Sequence, residues 1–387
     1  MRQTLTCLWK EPDAARSFRT GVSLHSHTNH SRESLRFILQ YAQKFTLLEA
    51  ALRLRSQWCA KTTGVMPDLL RGYWTPPLPA RGAFDLERGQ IENTLHLGAF
   101  VSLTDHDNVD APLLLRVVPE TREVPVSTEW TLPYGASTFH LGVHNLPARL
   151  ATEITTELAA YTKSPQPARA RDLLAQLHAD PDVLVVLNHP LWDLTGISGE
   201  RHRQELSSFL QRNGEFIHAL EISGVRTWRE NREVLDIAAG WNQLAISGGD
   251  RHGCEPNAIL NLTQTGTFAE FVHQVRRTRE SHVLFMPQYA EPMALRVVQT
   301  LLDVIRYDPE AATGARHWDD RVFHPDSADV EQPLSSLWNK PPMFIEAVFS
   351  AFRLFEVGAV RGMFRVALSQ GQQEIGIHSP QGQEVLP

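Results

Sequence analysis

His25 and His27 stand two residues apart at the end of a short apolar run, Gly21-Val-Ser-Leu-His-Ser-His-Thr28. On an extended strand, side chains two apart share a face, so both imidazoles can turn toward one divalent cation. A pair of histidines arises by chance in a chain with 17 of them, and recurrence is what makes this one informative. Thr104-Asp105-His106-Asp107, Ser127-Thr128-Glu129, Phe139-His140-Leu141, Asn188-His189-Pro190 and Gly249-Asp250-Arg251-His252 sit at or just past further apolar runs. In parallel α/β folds the loops after the strand C-termini build the site, so these residues are expected to gather at one rim.

The elements that must position them alternate short apolar runs with longer amphipathic ones from residue 20 to about 290, the pattern of a parallel α/β architecture. Candidate strands end near Leu24, Leu103, Ser127, Val143, Leu187, Ile222 and Ser247, with a further one at Val283 to Met286, which suits a barrel. The crossover at 34–98 reads as a helical insertion. Apolar residues recur with helical period at Leu35, Ile38, Leu39, Ala42 and Phe45, a loop follows with Pro67, Pro76, Pro77 and Pro79, and Arg81 to Leu97 is helical again. Residues 291–387 form a second region. Pro292 to Tyr307 and Pro342 to Leu368 read as helices around a polar stretch, with a frayed end from Gln370, placed to cap the barrel, close over substrate or form a homo-oligomer contact.

Composition removes several function classes. With 37 Lys+Arg against 44 Asp+Glu the net charge is -7, so no global positive field draws in nucleic acid or an acidic membrane. The three cysteines, Cys7, Cys59 and Cys254, include no C-x-x-C pair, and Met1 to Phe18 lacks a hydrophobic signal region. Reduced thiols and a cytoplasmic location are expected. The apolar stretch Met343 to Leu368 is interrupted by Glu346, Arg353, Glu356, Arg361 and Arg365, which excludes a membrane span. The P-loop, H-E-x-x-H and G-x-S-x-G motifs are absent, leaving metal-assisted hydrolysis as the chemistry the motifs support.

Six motifs, in order, resemble those of the PHP (polymerase and histidinol phosphatase) domain family over residues 20 to 260: His25-Ser-His27-Thr, Thr104-Asp105-His106-Asp107, Ser127-Thr128-Glu129, Phe139-His140-Leu141, Asn188-His189-Pro190 and Asp250-Arg-His252. The resemblance implies a distorted (β/α)7 TIM-like barrel with two or three divalent ions, for which Zn, Mn or Fe suit mixed imidazole and carboxylate ligation. It implies one ion held by His25, His27, Glu129 and Asp250, a second by Glu129, His140 and His189, and a third by His106, His252 and a residue of the loop after His27. Glu129 would bridge two ions, and a hydroxide shared between them would attack. The implied activity is a metal-dependent phosphoesterase cleaving a small phosphomonoester or nucleotide-like phosphodiester. An amidohydrolase-like C-N hydrolase and a non-catalytic metal-stabilised scaffold are the alternatives.

The chain departs from the family pattern twice. Arg32 and Glu33 stand where the family places Asp or His, leaving Glu33 as the third site's candidate ligand and His30 as the spare. Arg251 stands where a small residue is usual. It, Arg32 or Arg226 can pin a phosphate oxygen by a forked contact, or simply be solvated. Asp105 and Asp107 either orient His106 or cap the following turn. His144 has no role in the family pattern, and Cys254 reads as a small buried thiol. Trp58, Tyr73 and Trp74 line the entrance or pack the insertion against the barrel.

Overall fold

The computed structural model describes residues 1–35, 61, 71–308, 311, 314–325, 330–337 and 343–369. The helix expected from Ser34 to Lys61 does not begin at Ser34, which lies in a strand, and residues 36–60 of it lie outside the described residues, as do Trp58, Pro67 and the end from Gln370. In chain order the strands of the first half are β1 (Arg2–Cys7), β2 (Thr20–Ser26), β3 (Glu33–Ser34), β4 (Tyr73–Trp74), β5 (Gly98–Leu103), β6 (Val126–Tyr134) and β7 (Ser137–Leu146). Those of the second half are β8 (Leu184–Asn188), β9 (Ala219–Ser223), β10 (Leu244–Gly248), β11 (Ile259–Thr263), β12 (Glu280–Phe285), β13 (Val322–Pro325) and β14 (Glu331–Pro333).

A uniformly parallel closed barrel is not what these strands make. They pair into one five-stranded sheet ordered β1-β12-β11-β2-β5 and another ordered β10-β9-β8-β7-β6, both of mixed direction. The β6–β7 pair is antiparallel because only Gly135 and Ala136 separate the strands, too few residues for a parallel crossover, and Gly135 takes the positive φ of 57° that the turn needs. Within these two sheets, two strands escape the sequence reading altogether. β1 lies in a segment of mixed polarity and pairs parallel with β12, while β11, with Asn261 and Thr263 in it, pairs antiparallel with β2 and β12. The boundary expected at residue 20 therefore cuts β1 from its sheet.

The two sheets meet along two seams. The isolated bridge Ser26↔Arg251 joins the end of β2 to the residues after β10, and His106↔Glu129 joins the end of β5 to β6. Period-two burial sorts the core on either side of the strands. Val185 and Leu187 of β8 pack with Leu158, Leu174 and Phe209 of the flanking helices. Leu184 and Val186 face the other way and share a core with Val22 and Leu24 of β2, Ala219 of β9, and Leu244 and Ile246 of β10, together with Phe268, Phe271 and Val272. Inward residues from both sheets thus share one floor, and the polar residues lie toward the strand ends above it.

The described part of the insertion contains β4 and the helix Ala80–Gln90, which is continued by a wider turn through Leu95 and leads into β5, close to the helix expected there. Beyond β12 come the helices Met293–Ile305, Met343–Arg353 and Gly358–Ser369. The region between them is not merely polar coil, because β13 and β14 join β4 and β3 in a four-stranded sheet ordered β14-β13-β4-β3. Among the described residues no helix is long and apolar enough to cross a membrane.

Candidate metal centre

His25 and His27 converge by a kink and not by simple alternation. Val22 and Leu24 point into the shared core, so an unbroken strand would turn Ser26 the same way and His25 outward. A register slip between Leu24 and Ser26, with His25 at φ 64°, breaks that alternation. His189 (φ 27°) and Asp250 (φ 51°), just past β8 and β10, are also left-handed. Such backbone costs on the order of 1–3 kcal/mol at a non-glycine residue, and here it marks three residues aimed at one place.

Glu129 is the centre of the arrangement and is fully buried. Its Oε1 lies 3.1 Å from His25 Nε2, 3.3 Å from His140 Nδ1 and 3.2 Å from His189 Nε2. Its Oε2 lies 3.4 Å from His27 Nε2 and 3.3 Å from His106 Nδ1. Asp250 Oδ1 is 3.6 Å from both His25 Nε2 and His27 Nε2. Glu33, on β3, turns inward and sets Oε2 3.2 Å from His106 Nε2 and 3.1 Å from His252 Nε2. All nine residues named as ligands from the sequence therefore meet in one cluster.

The polar atoms of this cluster fit a cation better than they fit one another. His25 Nε2, His27 Nε2, His106 Nδ1, His140 Nδ1 and Glu129 Oε2 are buried without a hydrogen-bond partner. Unpaired buried polar atoms are costly, so five in one place call for a guest that accepts lone pairs. Four overlapping sets lie within ligating reach of a common ion: His25, His27 and Glu129; His25, His189 and Asp250; His27, Glu33 and His252; and His106, Glu129 and His140. These buried clusters are compatible with divalent metal.

The electrostatics point the same way. Burial pushes the Glu129 carboxyl up, but His25, His140 and His106 outweigh it and hold the group well below the usual range. Burial likewise lowers the His106 imidazole, yet Glu33 and Glu129 prevail and raise it to about 10. Burial dominates at His27, lowered to about 3, and at His189, lowered to about 4, leaving both neutral as a metal ligand must be.

No protein-family model matches the chain. No curated protein is similar to it in sequence. Solved structures overlap it in part. An amidohydrolase from Chromobacterium violaceum, with bound sulfate and no metal, has 15% identity and a TM-score of 0.32, covering 46% of this chain and 83% of that one. PsfC from Pseudomonas syringae has 16% identity and a TM-score of 0.39, covering 57% and 88%. A protein from Bifidobacterium adolescentis, provisionally described as a metal-dependent phosphoesterase, has 13% identity and a TM-score of 0.31, covering 52% and 92%. Overlaps this weak bear on neither reaction nor substrate, and the functional reading rests on the geometry above.

The three residues expected to act beside the ligands are placed differently. Arg251 is buried with its Nε 2.9 Å from Glu87 Oε1, and it donates to the carbonyls of Gly253 and His27 at 2.6 and 2.7 Å. With Nη1 and Nη2 bonded to backbone carbonyls and Nε facing the Glu87 carboxylate, it is a strut and not a phosphate clamp. Arg32 turns away to Glu331, 2.6 Å distant, with its side chain 60% exposed. Asp105 accepts from Thr28 N and Thr28 Oγ1 at 2.6 and 2.7 Å, which orients the loop after His27 and not His106. His30 stays outside the cluster, its backbone N–H held by Thr28 Oγ1. His144 is buried against Ser102 Oγ at 2.8 Å. Cys254 is half-buried, more open than expected.

Sequence reading missed Glu221 and Asn188. Glu221 Oε2 lies 2.6 Å from His25 Nδ1, fixing which ring nitrogen faces the centre. Its signal was a lone acid at an inward position of a five-residue buried strand, Ala-Leu-Glu-Ile-Ser. Gly248 makes the room, because a Cβ there would fall 2.3 Å from that carboxylate. Asn188 Nδ2 donates to Glu129 Oε1 at 2.9 Å, holding the central carboxylate in place.

Proposed function

We propose that this chain is a metal-dependent hydrolase of phosphoester bonds, using two or three divalent ions (Zn, Mn or Fe) on a small phosphomonoester or nucleotide-like phosphodiester. The observation that carries the reading is Glu129, whose two oxygens each face imidazoles from different strands, an arrangement suited to a carboxylate shared between neighbouring ions. Ions held there would lower the pKa of water and neutralise charge on phosphoryl oxygens.

The chain's own residues supply the rest. Asn188 and Glu221 hold Glu129 and His25 in position, and Asp105 holds the backbone beyond His27. Arg226 is the arginine we assign to the substrate's anionic group. Its guanidinium carbon stacks 4.0 Å over Trp192, whose ring is 5.1 Å from that of His189, and its Nε and Nη2 are buried without partners beside the centre. A phosphate oxygen would satisfy both donors.

Metal analysis of the purified chain, followed by Mn- or Zn-supplemented assays on panels of phosphoesters and amides, tests the reading. Bound metal with phosphoester turnover is expected. Turnover of amides alone would replace it with the C-N hydrolase, and metal binding without any turnover with the scaffold.

A further inference from the structure

The region after residue 305 is joined, through β4, to the strand that carries Glu33. β3, which carries Glu33, pairs antiparallel with β4, and β4 pairs antiparallel with β13. Glu33 lies opposite Trp74, and Trp74 opposite Val322. Opposed residues of antiparallel strands share a face, so Glu33, Trp74 and Val322 look inward while Ser34, Tyr73 and Phe323 look out. Contacts on both faces agree. The Trp74 ring lies 5.7 Å from that of His252, and Tyr73 and Phe323 stack outside at 5.0 Å.

The outer edge is tied to the same C-terminal segment. Glu331 accepts from Tyr73 Oη at 2.9 Å and pairs with Arg32, which stands next to Glu33 in the chain, at 2.6 Å. Thr75 N donates to the Arg321 carbonyl at 2.9 Å. Strands as short as β3 and β4 cannot hold a geometry alone, since an isolated two-stranded pair is marginal even at full length. The position of Glu33 depends on what β4 is paired to, and that is β13.

We propose that β13 (Val322–Pro325) and β14 (Glu331–Pro333) form a strap that completes the metal centre. By pairing with β4 it sets Glu33 against His252 and His106, so occupancy of the ion subsite at Glu33 is controlled from the far end of the chain. The inference rests on the metal reading above, and it gives the C-terminal region a role in the chemistry. Glu331, Tyr73 and Phe323 are positioning residues, acting through Glu33.

The test is Mn2+ titration of the intact chain, counting bound ions and their affinities, for the wild type, Glu33→Gln, Glu331→Gln and Phe323→Pro. Circular dichroism and thermal melts establish folding of each variant. Glu331 is a surface residue, so Glu331→Gln remains informative even where Phe323→Pro fails to fold. Glu33→Gln is expected to remove one ion, and Glu331→Gln to weaken that same ion about tenfold while the others keep wild-type affinity. Uptake unchanged by Glu331→Gln, where Glu33→Gln removes an ion, overturns the strap alone. A wild-type chain that takes up no Mn2+ overturns the metal reading and the strap with it.

Discussion

Two fully buried glutamates, Glu87 and Glu129, lie on either side of the β2 strand end and meet opposite fates. Glu87 is answered by protein. Ser23 Oγ, Ser26 Oγ and Asn257 N donate to it, Arg251 neutralises it, and burial still raises its carboxyl above the usual value. Glu129 is surrounded by imidazoles whose facing nitrogens have no other partner, and its carboxyl is held low. The contrast separates scaffold from site: hydroxyls, amides and a guanidinium close a network, while converging imidazoles leave lone pairs for a cation.

The sharpest way to break the comparison is to mutate the two acids in parallel. Glu129→Gln should abolish binding of the shared ions and lower turnover at least about a hundredfold with little change in melting temperature, measured by metal analysis and steady-state kinetics. Arg251→Met should do the reverse. It leaves Glu87 buried and unpaired, at a cost of about 3–5 kcal/mol in chemical denaturation, and the Arg251→Met/Glu87→Met double variant should recover much of that loss. Equal behaviour of the two sites would erase the distinction.

Smaller changes sharpen it. Glu221→Gln keeps the size of the group holding His25 but not its charge, and should weaken metal binding about 10–100-fold by equilibrium dialysis without emptying the centre. Arg226→Ala should raise KM for a phosphoester about tenfold and leave metal content unchanged, as one lost charge-assisted contact would. The least effect is on pH dependence. His106, raised to about 10, carries a proton at neutral pH that a cation must displace. Mn2+ binding should therefore release protons and tighten as pH rises, seen as buffer-dependent heats in calorimetry.

What the sequence by itself determined is which side chains gather at the candidate centre. Each of His25, His27, His106, Glu129, His140, His189, Asp250 and His252 lies in or next to an apolar run, and burial of such runs forces their ends together. Helices at Arg81 to Leu97 and Pro292 to Tyr307 were legible for a similar local reason, since amphipathic period is written in neighbouring residues. Only the tertiary structure decided the pairing of strands into two mixed sheets, the duty of Arg251 and the inward turn of Glu33. Arg251 and Arg226 look alike as sequence, yet one meets Glu87 from a distant helix and the other meets an aromatic ring with its donors free. Local spacing specifies which chemistry a side chain can offer, but a charge is spent or kept available by partners that arrive from elsewhere in the chain.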